Sequence, residues 1–386
     1  VSKKDWEILE INVEVEKRKT FSGNLSQYEI REFKRKRLSR LRVIVDGRLG
    51  VDISARRISS LDEQLDRAIR NAMQGLKVNF TFGQGMSLAR DKFLATRPSS
   101  ALEWSNLQHP EVLEIERQDI EFNLRTQSGQ NAFCNSSRTI ATFGVQYNTQ
   151  YTFPITRLDT HSSTSDPLEI LRNVKTLPVN NETEIFSNPW LISPLALSAI
   201  ALEELYNYLT TDSSDAKTLP QGLWIQDRGL GTQTDLEGTI RCPVTFVQDG
   251  QLLTKAHDLY SAEISATQPT GHGGIFGRVI EDMLVGPAPT LLEEKLAPSG
   301  ESYVIVINAH CFLGNSQTER LVALSLMQSI TTGCLKKPPV TIFVRLCSIV
   351  KLFRKARWCG SIQRGIGPWS SSWLEITDPL SLFKSL

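Results

Sequence analysis

Histidine is scarce in this chain of 386 residues, with five in all, at 109, 161, 257, 272 and 310. No two stand four apart on an expected helix, so the usual helical zinc pair is absent. The six cysteines, at 134, 242, 311, 334, 347 and 359, form no C-x-x-C pair. In a chain of this length they read as reduced thiols of a cytosolic protein. An excess of one charge is also missing. Lys plus Arg number 43 against 42 Asp plus Glu, so bulk charge points to neither nucleic acid nor membrane as a partner. The greasiest run, WLISPLALSAIAL from Trp190, contains Pro194 and falls short of the ~20 apolar residues of a spanning helix. The first residues alternate instead of forming a signal core, so a cytoplasmic protein is expected, although the chain opens on Val1 and not Met. Neither a G-x-S-x-G elbow nor a Walker loop occurs.

What is present is periodicity. LEINVEVE, residues 9 to 16, alternates strictly, with Ile11, Val13 and Val15 on one side, which predicts a half-buried strand. Val43 and Val45 alternate up to Asp46-Gly47, a dipeptide suited to a tight hairpin. Ser60 and Glu63 make a capping box before a helix whose expected apolar face is Leu61, Leu65, Ala68, Ile69, Ala72, Met73 and Leu76. Residues 111 to 160 read as further strands, and Asp166-Pro167 as the start of a short helix. Ser193-Pro194 opens a helix that is apolar on nearly all sides and therefore buried. Asp249-Gly250 marks a second hairpin, and 301 to 310 another strand. The expected class is α+β. Residues 1–165 form an N-terminal sheet with a covering helix, 166–185 a linker and short helix, and 186–386 a mostly β C-terminal domain with one buried helix.

Two groupings can carry chemistry on their own terms. Cys242, His257 and His272 supply three ligand types that suit a catalytic zinc, were they to meet in space; that is a peptidase with a non-standard metal site. The stretches 31–42 and 345–364 hold seven and six Lys or Arg with one and no acids, so a nucleic-acid-associated regulator is the other alternative. The bland reading of both stretches is a solvated strand face and a solvated C-terminal helix.

The order of several segments adds a third reading. RVIVDGRLGVDIS, the capped SLDEQLDRAIRNAM helix, SNPWLISPLALSAIALEELYNYL, VTFVQDGQLLTKAHDLYSAEISATQPTGHGG and a late TTGCLKKPP follow one another. This succession resembles the TldD/PmbA family, the so-called modulators of DNA gyrase, which are metalloprotease-related. The resemblance is good over 40–75 and 187–275 and poor beyond about 310. It implies a helix bearing His-Glu-x-x-x-His in the zinc-binding subunit. On this sequence those positions fall on Leu202, Glu203 and Asn207. The resemblance thus implies a PmbA- or TldE-like subunit that retains the motif glutamate, Glu203, and binds no metal itself. Zinc then belongs to a partner, a TldD-like sister subunit, although a homodimer is the other arrangement. The implied substrate is an unfolded or modified peptide, captured as an added strand and proteolysed. The turn at Thr270, Gly271, His272 and Gly273 is the expected peptide-lining segment, since glycine lets another backbone approach.

Overall fold

The computed structural model describes residues 5–22, 27–54, 60–82, 112–147, 151–159, 168–177, 182–212, 219–229, 234–287, 302–312, 320–328, 330–331, 334–335 and 337–385. The early alternation becomes two long strands, β1 (Asp5–Ser22) and β2 (Gln27–Val45), then β3 (Arg48–Ser54). Asp46 and Gly47 take φ of 51° and 71°, the doubly positive turn whose twist suits a two-residue hairpin. Helix α1 (Leu61–Ala72) follows, and Ser60 Oγ accepts from the Glu63 amide at 3.4 Å. β4 (Val112–Thr126), β5 (Asn131–Tyr147) and β6 (Tyr151–Asp159) complete an antiparallel sheet in the order β6-β5-β4-β1-β2-β3.

Side-chain size decides how α1 sits on this sheet. Gln64, Ala68 and Ala72 are buried, while Leu65 and Ile69 are half-buried on the flanks. Leu61, Met73 and Leu76, expected on the inner face, are exposed. The reason is a close crossing over Gly50. A Cβ there would strike the Ala68 carbonyl oxygen and lie 2.8 Å from the Ala72 Cβ. Small residues at the contact let the backbones approach, and larger ones are pushed aside. On the opposite face, Leu9 and Ile11 pack with Phe122 and Leu124.

Helix α2 (Glu169–Asn173), β7 (Lys175–Thr176) and α3 (Glu182–Ser187) lead to the second region. The expected Asp166-Pro167 start lies outside the described residues. There follow β8 (Trp190–Ile192), α4 (Pro194–Thr210), β9 (Trp224–Asp227), β10 (Val244–Gln248), β11 (Gln251–Leu252), α5 (Leu259–Ile264) and β12 (Met283–Gly286). Next come β13 (Ser302–Phe312), β14 (Arg320–Met327), β15 (Ile330–Thr331), β16 (Cys334–Leu335), β17 (Val340–Leu346), α6 (Ile349–Lys355), β18 (Ala356–Arg364), β19 (Trp369–Ile376) and β20 (Phe383–Ser385). Strand neighbours run β10-β9-β12-β19-β8-β13-β14-β17-β20, with β12/β19 and β8/β13 parallel. Asp249 and Gly250 close the β10–β11 hairpin with φ of 50° and 77°. The stretch 345–364 is not one helix. It ends helical at Lys355 and continues as β18, because Ala356 turns extended and the chain pairs with β19.

Helix α4 shares one apolar cluster with Trp190, Val306, Leu324, Trp369 and Phe383. A second cluster is built from both regions. Ala141, Phe143 and Ile155 pack there with Leu171, Tyr303, Ile305, Cys359 and Trp373. Mostly β with few helices, the fold is of the α+β kind. Among the described residues no helix is long and apolar enough to cross a membrane.

The α1 contact yields a test. Gly50→Ala should cost about 3 kcal/mol, by overpacking two backbones that cannot separate. Gly129→Ala, at a φ of 78° with open space around it, should cost about 1 kcal/mol. Urea unfolding of both variants measures the difference.

Candidate functional site

Ser193 accepts from the Ala196 amide at 3.1 Å and Pro194 opens α4, as the capping pair implies. The helix is regular across the three motif positions. Residues five apart on such a helix stand about 140° apart. Leu202 accordingly packs against the core, and a Cβ on Gly367 would lie 3.6 Å from its Cδ2. Glu203 and Asn207 face solvent. The two positions that hold imidazoles in the implied motif therefore neither converge nor offer a zinc donor set: one is aliphatic, the other a carboxamide. The donors do not fit the metal. Glu204 is half-buried and pairs with Arg320 of β14 at 3.1 Å. Cys311 lies beside this pair. Burial raises its thiol, Arg320 lowers it, and the charges of Glu203 and Glu204 raise it further.

The turn at 269–274 is buried from Gly271 onward. His272 Nε2 lies 3.0 Å from Asp227 Oδ2, and its Nδ1 lies 2.7 Å from Thr270 Oγ1. Burial pushes Asp227 up. The bonds from His272 and from the Gly229 amide, with Arg241 nearby, outweigh it and hold the carboxyl below its ordinary value. Asp227 is thus a carboxylate, and Nε2 donates to it. Both ring nitrogens of His272 are engaged, leaving no lone pair for a metal. His257 is buried with Nδ1 unpartnered, and burial together with Arg278 depresses its pKa. Cys242 is exposed. The trio Cys242, His257 and His272 does not gather, and among the described residues no three His, Cys, Asp or Glu side chains form a metal-holding group.

The glycines of the turn do receive a close backbone, but it is the chain's own. A Cβ on Gly271, whose φ is 75°, would meet the Ile240 carbonyl oxygen at 2.7 Å. One on Gly273 would collide with the Glu237 side chain. Segment 234–241 lies against the glycines on that side. Thr270, half-buried, holds the His257 amide on its Oγ1 at 2.7 Å.

Sequence reasoning missed the ionic centre beneath that segment. Glu7 of β1 is wholly buried between two arginines of β2. It accepts from Arg40 at 3.1 Å and from Arg42 at 2.9 and 3.0 Å. Arg42 also bonds Glu237 and lies over the Phe82 ring at 5.0 Å. Arg40 donates to the carbonyls of Leu236, at 2.8 Å, and of Gly274. Glu237 accepts the Leu259 amide at 2.7 Å. Asp235 takes the amides of Glu237 and Thr239, each at 2.9 Å, and that of Gly273 at 2.7 Å. Burial and Arg42 lower Arg40, whereas Glu7 and Glu237 raise Arg42 in spite of its burial. Glu237 is pushed up by burial but held low by Arg42 and Arg40. Asp235 is pushed up to about 7 by burial and by the charge of Glu237. The only signal in the sequence was the pair of alternating arginines after the exposed run.

A second centre joins the regions. Asp159 binds Arg138 at 2.6 Å and Arg364 at 3.1 Å, and Asp282 binds Arg228 at 2.8 and 2.9 Å and Arg364 at 3.2 Å. Burial and the charge of Arg138 bring Arg364 down to about 10. Three cations of the basic stretches, Arg40, Arg42 and Arg364, are therefore internal. Of the rest, Arg35 pairs with Glu14 at 2.8 Å, Arg357 with Glu375 at 3.6 Å and Lys355 with Asp378 at 3.8 Å.

No family model and no curated protein matches the chain. Solved structures do. TldE from Thermococcus kodakarensis is 13% identical with a TM-score of 0.57, covering 96% of both chains. A candidate modulator of DNA gyrase from Bacteroides thetaiotaomicron is 12% identical with a TM-score of 0.55, covering 99% of this chain and 95% of that one. Another from Thermotoga maritima is 14% identical with a TM-score of 0.53, covering 96% and 95%. The fold is the one these proteins share, over nearly the whole length. It agrees with the TldD/PmbA resemblance and extends it past residue 310, where the sequence resemblance fades.

The first ionic centre carries two expectations. Glu7→Gln leaves two buried arginines short of their counter-charge and should cost about 3 kcal/mol or more in denaturant unfolding. Asp235 has a folded pKa above its unfolded value of 3.8. Its contribution is therefore fully present below about pH 4 and lost as pH rises toward about 7. Stability of Asp235→Asn measured across that window should fall less with rising pH than that of the wild type.

Proposed function

We propose that this chain is the metal-free, TldE-like subunit of a peptide-processing metalloprotease pair of the TldD/PmbA type. The observation that carries the reading is α4. A regular helix offers Leu202 to the core and Asn207 to water where a catalytic sister needs two imidazoles. Without a bound ion no water is acidified toward neutral pH, and Glu203 has nothing to deprotonate. The fold shared with TldE, over nearly the full length of both chains, supports the same assignment. Zinc then resides in a TldD-like partner, and this chain contributes binding surface for an unfolded or modified peptide. A cytoplasmic setting fits the exposed thiol of Cys242.

Segment 234–241 covers the turn at Thr270–Gly273 from inside. Peptide held by this subunit would therefore meet Thr270 and the outer side of the segment, not the glycines directly. The interface with the sister should be large and apolar.

Co-expression with a TldD-like protein that carries the complete motif tests this. The expected outcome is a stable complex with one zinc per pair that cleaves unstructured peptide, while the chain alone holds no zinc and cleaves nothing. Glu203→Gln here should leave the pair's cleavage rate within about twofold, because an exposed carboxylate without a metal removes no proton in the reaction. Stoichiometric zinc in the isolated chain, lost together with peptide cleavage in His257→Ala, would overturn the assignment in favour of an active peptidase.

A further inference from the structure

The packing of α1 leaves part of the sheet uncovered. The helix crosses β3 and β2, and its first turn overhangs β1 and β4. Beneath the overhang is a pocket of ≈ 260 Å³. Trp6, Ile8 and Leu61 line it, with Glu10, Gln64 and Arg125 as its charged and amide groups. The register explains the grouping. Trp6, Ile8 and Glu10 alternate onto one face of β1, and Arg125 stands opposite Ile8 on β4.

Gln64 is the anomaly. It is a fully buried amide on a contact face otherwise made of small residues. Its Oε1 is 3.5 Å from Ser39 Oγ, and its Nε2 has no partner in the protein. A buried donor left unmade is costly, and native folds rarely keep one without an acceptor from elsewhere. Beside it, Arg125 and Glu10 form an ion pair at 2.9 Å, with side chains 50% and 44% exposed. Each charge keeps bonding capacity toward the pocket.

Size narrows the ligand. A dry cavity of about 150 Å³ holds benzene, so this pocket takes a ring or branched side chain with a short polar end. Charge narrows it again. Two opposite charges a few ångströms apart match a zwitterion, whereas a ligand of one sign would set a like charge against one member of the pair. Within a peptide both of those groups are amides, so a free amino acid is what offers the two charges.

We propose that the pocket binds a free α-amino acid with an apolar side chain. The side chain lies between Trp6, Ile8 and Leu61, the carboxylate bonds Arg125 and the Gln64 amide, and the ammonium bonds Glu10. The site is separate from α4 and does not depend on the peptidase reading.

Titration of the full chain with L-phenylalanine and L-leucine, followed by calorimetry and by the Trp6 indole signal, tests it. The expected result is saturable 1:1 binding of at least one of them with Kd of about 1 mM, given so few ligand atoms. 3-Phenylpropionate and 2-phenylethylamine, each lacking one charge, should bind at least about tenfold more weakly, as should L-phenylalanine or L-leucine to Arg125→Gln and to Gln64→Leu. Gln64→Leu keeps the volume and removes the unmade donor but takes the Ser39 hydroxyl's acceptor away, so the two effects should nearly cancel in unfolding. Absence of saturation by either amino acid up to roughly 20 mM would mean that the pocket holds water only. That outcome overturns the proposal. So does equal binding of either singly charged analogue, or unchanged affinity in both variants.

Discussion

The molecule depends on one carboxylate. Glu7 enters the sheet with no water around it and is tolerable there only because Arg40 and Arg42 reach it from the neighbouring strand. Two arginines around one glutamate leave positive charge to be balanced, and Glu237 comes from a remote loop to balance it. Removing a member of such a set leaves an unopposed charge in a medium that cannot solvate it. The remote loop is thus held by this charge balance together with the packing of Leu236 against the Leu9 cluster. It brings Asp235 with it, whose bond to Gly273 fixes the His272 turn. Position passes from Glu7 through Arg42 and Glu237 to the turn and then to Asp227.

The same arrangement explains why the glycine-rich turn is not itself an open cleft. Its glycines are needed, but for intramolecular closeness: the Asp235–Arg241 segment lies where a side chain would otherwise stand. Under the proposed function, a surface for peptide capture must lie outside that layer. The regularity of α4 belongs to the same account. A helix that must converge two imidazoles five residues apart has to depart from 3.6 residues per turn. Here nothing asks for the distortion, and the helix relaxes into a buried element with Ser193 and Pro194 at its head.

Local features were the legible ones. Both Asp-Gly hairpins, the caps of α1 and α4, the burial of most of α4 and the strand at 301–310 follow from short-range chemistry that a sequence displays directly. So was the fold, through the order of segments rather than any one motif. The inner face of α1 was not legible in full, because helical spacing ranks residues by apolarity while close packing at Gly50 ranks them by size. The ionic centres were not legible at all. Arg42 and Glu237 are 195 residues apart, and nothing in a basic stretch marks which of its cations will be internal. The split of 345–364 into α6 and β18 was hidden for a similar reason, since the pairing that makes a strand of it comes from β19.

The apolar cluster shared by β5, β6, α2, β13 and β19 bears on how the protein behaves as a whole. Among the described residues, the interior that Phe143 and Ile155 enter is the one that Tyr303 and Trp373 complete. A protease nick near residue 165 would therefore release no pair of autonomous halves. It would leave two pieces that still cling through that seam, and pulling them apart would bare a matching greasy surface on each.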